Sequence, residues 1–172
     1  MTECLDVVLD ADALSERHPA LSEGVALAGV EACQVCLARR HPSPTVMQID
    51  DAGAVVELRL AWARPTDRIR RAWRDQPFAT EKGAETVAII SVEAIRGLVA
   101  VDRALRGSRV DFYVGAPDAG LERAAALEVG GTDDGSIASV MRQKRRQASK
   151  NPDRLPALAV AVRFVEPCVR IE

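Results

Sequence analysis

The sequence predicts an α/β protein: a mixed sheet with helices on its faces. Three observations carry that prediction. From Pro77 onward the periodicity runs in the order helix, three strands, helix, strand. Glycine and proline punctuate the boundaries, with Gly97 after the first of these helices and Pro167 after the last strand. Three charged residues, Asp111, Glu128 and Lys144, stand where apolar residues belong.

Taken in order, residues 3–9 read as a short strand or an irregular lead-in. Ala20 to Arg40 reads as helix, with Leu21, Val25, Ala28, Ala32 and Val35-Cys36 at helical spacing and His41-Pro42 as its stop. Thr45–Asp50 and Val55–Trp62 form a hairpin around Asp51-Ala-Gly53. A short basic helix, Arg68–Arg74, follows, and its arginines read first as a solvated face. Pro77 then opens a longer helix to about Ile95. Strands are expected at Leu98–Ala104, Arg109–Gly115 and Arg123–Gly130, then a loop over Gly130–Gly135. Ser136 caps a helix to about Ser149, which Asn151-Pro152 breaks. Ala157–Val165 is the last buried strand, with Val169–Ile171 as a short addition. The expected organisation is one compact unit, with residues 1–76 as an extension packed on a core of residues 77–172.

The chain has 172 residues, enough for one domain with a real core. It is 48% hydrophobic and 28% charged with a net charge of −2, so no global basic field marks it as a nucleic-acid binder. Any such binding must be local. Only 3% of residues are aromatic, which argues against a stacking platform for single strands. No apolar run approaches the roughly 20 residues of a membrane span. The first residues lack a basic segment leading into an apolar one, so the expected location is the cytoplasm. Cys33 and Cys36 sit inside an alanine-rich helix, and only His18 and His41 could join them in a zinc site. Their simpler reading is as small buried hydrophobes.

The three misplaced charges carry the chemistry. Asp111 interrupts Val110-Asp-Phe-Tyr-Val-Gly115 and Glu128 interrupts Ala124-Ala-Ala-Leu-Glu-Val129. A lone buried charge is costly unless it is paired or bound to an ion, so three in one stretch point to one shared site. Neighbouring strands lie about 4.8 Å apart, which lets both carboxylates reach one place. Two carboxylates at strand ends suit a hard cation such as magnesium. Ile137, Val140, Met141, Lys144 and Ala148 form one helical stripe with Lys144 near its centre and Gln147 on its flank. Lys144 then either joins the carboxylates or snorkels to water along apolar neighbours. Glu81 and Glu85 share a face of the preceding helix, and either one could supply a third acid.

The order helix with Glu81, strand, strand with Asp111, strand with Glu128, helix with Lys144 and Gln147, strand resembles the PD-(D/E)XK nuclease superfamily. Ala79-Thr-Glu-Lys-Gly-Ala84, Val110–Gly115, Leu127-Glu-Val-Gly-Gly131 and Arg142-Gln-Lys144 are similar to segments of a bacterial group within it. The likeness covers roughly residues 77–165. It implies a restriction-endonuclease-like α-β-β-β-α-β core with an added N-terminal helix and hairpin. It makes Asp111 and Glu128 ligands of Mg2+ or Mn2+, with Glu81 as the helix-borne acid, and makes Lys144 and Gln147 catalytic. The sequence departs from the pattern at Gly130, where the motif has its lysine, and no proline precedes Asp111. In some members the basic residue moves to the following helix, where Lys144 lies.

The function expected on this basis is metal-dependent phosphodiester cleavage of nucleic acid, in a bacterial defence or mobile-element setting. Arg142–Lys150 would be a phosphate-contacting run or simply a solvated helix end. The alternative is a catalytically inactive nuclease-like scaffold, a subunit of a larger assembly, with residues 1–76 serving a protein partner or a homodimer. A third reading is a purely structural cluster in which Lys144 bridges both acids.

Overall fold

The computed structural model describes residues 4–151 and 153–172. Glu3 and Pro152, expected at the start of the first strand and at the break after the last helix, lie outside them. The chain is an α/β protein. Its described residues form five helices and one eight-stranded mixed sheet in the order β1-β3-β2-β8-β7-β6-β5-β4.

The second half follows the expected order. Helix α4 (Gln76–Arg96) leads into β4 (Val99–Arg103), β5 (Phe112–Gly115) and β6 (Ala125–Thr132), successive antiparallel neighbours. Helix α5 (Ile137–Ala148) then crosses over to β7 (Ala157–Arg163), which lies parallel to β6. Asp75 caps α4 through the Phe78 N–H, and Gly97 ends it at a φ of 65°, a left-handed conformation glycine adopts without strain. Ser136 caps α5 through the Ser139 N–H.

Two adjacent glycines show that α4 and α5 cover opposite faces of the sheet. Successive residues of a strand point to opposite sides. A Cβ on Gly130 would lie 2.5 Å from Val140 Cγ1 of α5, whereas one on Gly131 would lie 2.5 Å from Ala84 Cβ of α4. Both helices therefore press onto β6 where any side chain would hold them off. For the same reason Gly130, Gly131 and Thr132 are strand, not the loop their glycines suggest. They pair with Ala161, Val162 and Arg163 of β7.

The first half extends the same sheet. The hairpin of β2 (Thr45–Asp51) and β3 (Ala54–Ala61) turns on Ala52 and Gly53, both at positive φ, with the Gly53 N–H held by Asp50 Oδ1. Strand β1 (Cys4–Val8) runs parallel to β3. The short β8 (Cys168–Ile171) pairs with β2 on one side and β7 on the other, fusing the two halves. Helix α3 (Asp67–Ala72) is the expected short basic helix.

The helix expected over Ala20–Arg40 is α2 (Glu23–Ala38), and a further short helix, α1 (Ala11–Arg17), precedes it. Asp10 caps α1, a single element too short to declare itself by periodicity, and Ser22 starts α2. Helix α2 packs on α4 through small residues, with Gly83 directly against the Cys33 backbone. Cys33 and Cys36 are free and fully buried in that contact. Burial pushes the Cys33 thiol well above its ordinary range and the Cys36 thiol up to about 11. The imidazoles have other partners. His18 Nδ1 accepts from the Ala100 N–H and its Nε2 faces Glu93, while His41 meets the Phe164 carbonyl. No helix among the described residues is long and apolar enough to cross a membrane.

Candidate active site

Asp111 lies just before β5, in a bend and not in a strand interior. Its N–H donates to the Leu127 carbonyl at 2.8 Å, and its Oδ2 accepts from the Val129 N–H at 2.7 Å. Backbone and side chain are thus both fastened to β6, on either side of Glu128. Glu128 is mid-strand. Its neighbours Leu127 and Val129 belong to the main core, so Glu128 takes the face beneath α5. There Lys144 Nζ donates to Glu128 Oε1 at 2.7 Å. The Glu128 side chain is 7% exposed and that of Lys144 19%. Of the readings open for Lys144, the structure has the ammonium turned inward to the acid.

The lysine reaches Glu128 because Gly130 is bare. A Cβ on Gly130 would stand 2.8 Å from Lys144 Cγ and 2.9 Å from its Cε. The lysine stem runs across this glycine, in the space a side chain two residues after Glu128 would occupy.

The pair is electrostatically uncomfortable. Burial raises the Glu128 carboxyl to about 7, against the Lys144 hydrogen bond, and the charge and carboxyl of Asp111 raise it further. Asp111 is raised too, by burial first, with the Val129 N–H and Lys144 opposing. Val129 and Lys144 occupy one oxygen of each acid. The two carboxyls also bear on each other, through charge and a side-chain hydrogen bond.

A cleft of about 550 Å³ opens over this point between α4 and α5. Glu81 and Glu85 both line it, which resolves the choice between them by difference in state. Glu85 is buried and held by Lys82 at 3.1 Å and by Arg103 at 3.0 Å. Glu81 is exposed and pairs with no cation among the described residues. Gln147 does not line the cleft; Gln143, one turn earlier on α5, does. Gln147 is half-buried, and its Oε1 has no hydrogen-bond partner among the described residues. Arg142, Arg145 and Arg146 are exposed, with Arg145 reaching Glu172 at 2.8 Å.

Sequence reasoning missed the far end of the cleft. Asp133, just past β6, is buried and bound by Arg40 Nη1 at 2.8 Å and Gln76 Nε2 at 2.6 Å, with Arg39 at 3.8 Å. It ties the end of α2 and the start of α4 to the sheet. Its acid after Gly-Gly-Thr read as a loop residue, and no local signal announces three partners this distant in sequence.

Among the described residues, no group of three or more His, Cys, Asp or Glu side chains is arranged as a metal cage. The donor set at Asp111 and Glu128 is instead two neighbouring carboxylates, of which Asp111 lines the main cleft while Glu128, buried under Lys144, does not. That fits a hard cation that keeps most of its waters, as Mg2+ does. No protein family model, curated protein or solved structure matches this chain.

Proposed function

We propose that this chain is a metal-dependent phosphodiesterase acting on nucleic acid, built on a restriction-endonuclease-like core. The observation that carries the reading is the 2.7 Å contact from Lys144 Nζ to Glu128 Oε1, made across Gly130 and beside Asp111. The motif lysine of the PD-(D/E)XK pattern would project from position 130 on the same face as Glu128. Lys144 fills that space from α5, which supports reading it as the relocated motif lysine.

Asp111 and Glu128 would hold Mg2+ or Mn2+, which when bound supplies Lewis-acid polarisation of the phosphate and an acidified water. Lys144 donates to the developing negative charge on the phosphate, an ammonium fixed in place by Glu128 and needing no reorganisation. The Val129 N–H holds the Asp111 carboxylate in one orientation. Glu81, at the cleft edge, is placed to accept a proton from water or to support the cation. Gln143, not Gln147, is the glutamine available to orient a substrate group.

The test is cleavage of DNA and RNA, single-stranded and duplex, with Mg2+ or Mn2+. Cleavage that needs the metal and disappears in Glu128→Ala is the expected result. Cleavage that survives Glu128→Ala removes this site from the reaction.

The second reading, an inactive scaffold, is favoured by the same ion pair, because Lys144 neutralises Glu128 with no cation present. Manganese titration separates the two. A working site gives a thermal shift with Mn2+ that Asp111→Asn abolishes; a scaffold gives none.

A further inference from the structure

The two carboxylates border a second recess. Besides the main cleft, a polar hollow of about 350 Å³ lies against the turn between β4 and β5, and both Asp111 and Glu128 line it. Asp111 lines the main cleft as well, so it marks the junction of the two. The turn, Ala104-Leu-Arg-Gly-Ser-Arg-Val110, holds two arginines and no acid.

This turn is built, not loose. The Ala104 N–H donates to the Asp111 carbonyl at 3.0 Å, closing its base. Ser108 bonds the Leu105 carbonyl through its N–H at 3.0 Å and through its hydroxyl at 2.7 Å. Gly107 takes a φ of 97°, and Arg109 is held at 64°, a left-handed conformation that costs a non-glycine residue of order 1 kcal/mol. Arg103 at the base is already committed to Glu85. Arg106 and Arg109 are exposed, line the recess, and pair with no acid among the described residues.

We propose that the β4–β5 turn is a phosphate clamp. Arg106 and Arg109 grip the backbone phosphates that flank the one lying at Asp111, Glu128 and Lys144, so a strand runs from the recess across Asp111 into the main cleft. The inference rests on the nuclease reading above and adds to it the side from which the strand is held. Guanidinium forks suit phosphate oxygens and read no base, so the clamp is indifferent to sequence. It also locates the cationic patch that an overall charge of −2 conceals.

The experiment is fluorescence anisotropy with a short labelled DNA duplex, and separately with its single strand, in EDTA from about 50 to 200 mM salt. Arg106→Ala/Arg109→Ala is expected to weaken binding roughly tenfold or more at low salt. It is also expected to flatten the log K against log salt slope by roughly 1.4–1.8, the share of two phosphate contacts. Arg106→Lys/Arg109→Lys should keep most of the affinity and the slope, which excludes misfolding as the cause. Arg59→Ala/Arg170→Ala removes the same charge from β3 and β8 and should change neither. Unaltered binding by the alanine turn variant, or an equal loss in the β3/β8 variant, overturns the clamp. If the chain still shows metal-dependent cleavage that Glu128→Ala stops, the clamp alone has failed. A wild-type chain that neither binds nor cleaves either DNA form nor RNA takes both readings down together.

Discussion

Glu128 and Asp133 are buried acids five positions apart on one stretch of chain, and their surroundings are opposite. Asp133 is well held: Arg40 Nη1 and Gln76 Nε2 make three hydrogen bonds to its carboxylate and Arg39 stands beside it. Glu128 has one cation on one oxygen, a second acid alongside, and a carboxyl driven to about 7 mainly by burial. An acid whose two oxygens both receive hydrogen bonds from firm donors serves as a latch. An acid left short of positive charge beside a recess is a place where something else binds. Burial alone does not separate the two, because both are well covered; the count of donors does.

The comparison breaks most readily through activity. Glu128→Ala should bring metal-dependent cleavage down to background, measured with labelled substrate, while the melting temperature moves little because Lys144 is free to swing to water. Asp133→Ala should do the reverse. It removes the acceptor of Gln76 and Arg40 that ties α2 and α4 to the sheet and is expected to cost about 1–3 kcal/mol, a fall of roughly 2–12 °C in Tm by calorimetry. If both variants behave alike in both assays, the distinction is wrong. Gly130→Ala should cost about 1–3 kcal/mol, since the new methyl meets Val140 and the Lys144 stem. It should also push Lys144 off Glu128, so cleavage falls further than stability does.

The smallest expected effect is in pH. The folded Glu128 carboxyl sits at about 7, above its ordinary value of 4.5. A carboxyl raised by folding contributes fully below its unfolded pKa, and that contribution is lost as pH rises through the folded value. Wild-type stability should therefore decline relative to Glu128→Gln between about pH 4.5 and 7. His18 gives the opposite sign: burial lowers its pKa, so its contribution is complete above 6.5 and lost as pH falls. Asp133→Asn should leave the Glu128 window in place, and a denaturant melt series across pH reads the difference.

The convergence of Asp111, Glu128 and Lys144 was legible in the sequence because each residue violates an apolar pattern, and a violation carries more information than a fit. The sequence points to Gln147, whereas Gln143, one turn earlier, lines the cleft. A helical wheel places Gln143 and Gln147 on nearly one line, and only the tilt of α5 over β6 decides which of them reaches the cleft. Glu81 and Glu85 were inseparable for the same reason until Arg103, from a different strand, claimed Glu85. The double glycine read as a turn because composition does not reveal helices pressing from both sides. The role of β8 was beyond reach, since its four residues match any short apolar run.

That short strand has a consequence for how the chain is made. β8 supplies the missing neighbour to both β2 and β7, joining residues as far apart in sequence as Gln48 and Cys168. During vectorial synthesis this edge of β2 must wait, unpaired and open to foreign strands, until the more than 100 residues between β2 and β8 have been translated. The β2–β3 hairpin and the half from α4 to β7 meet in one sheet only through β8.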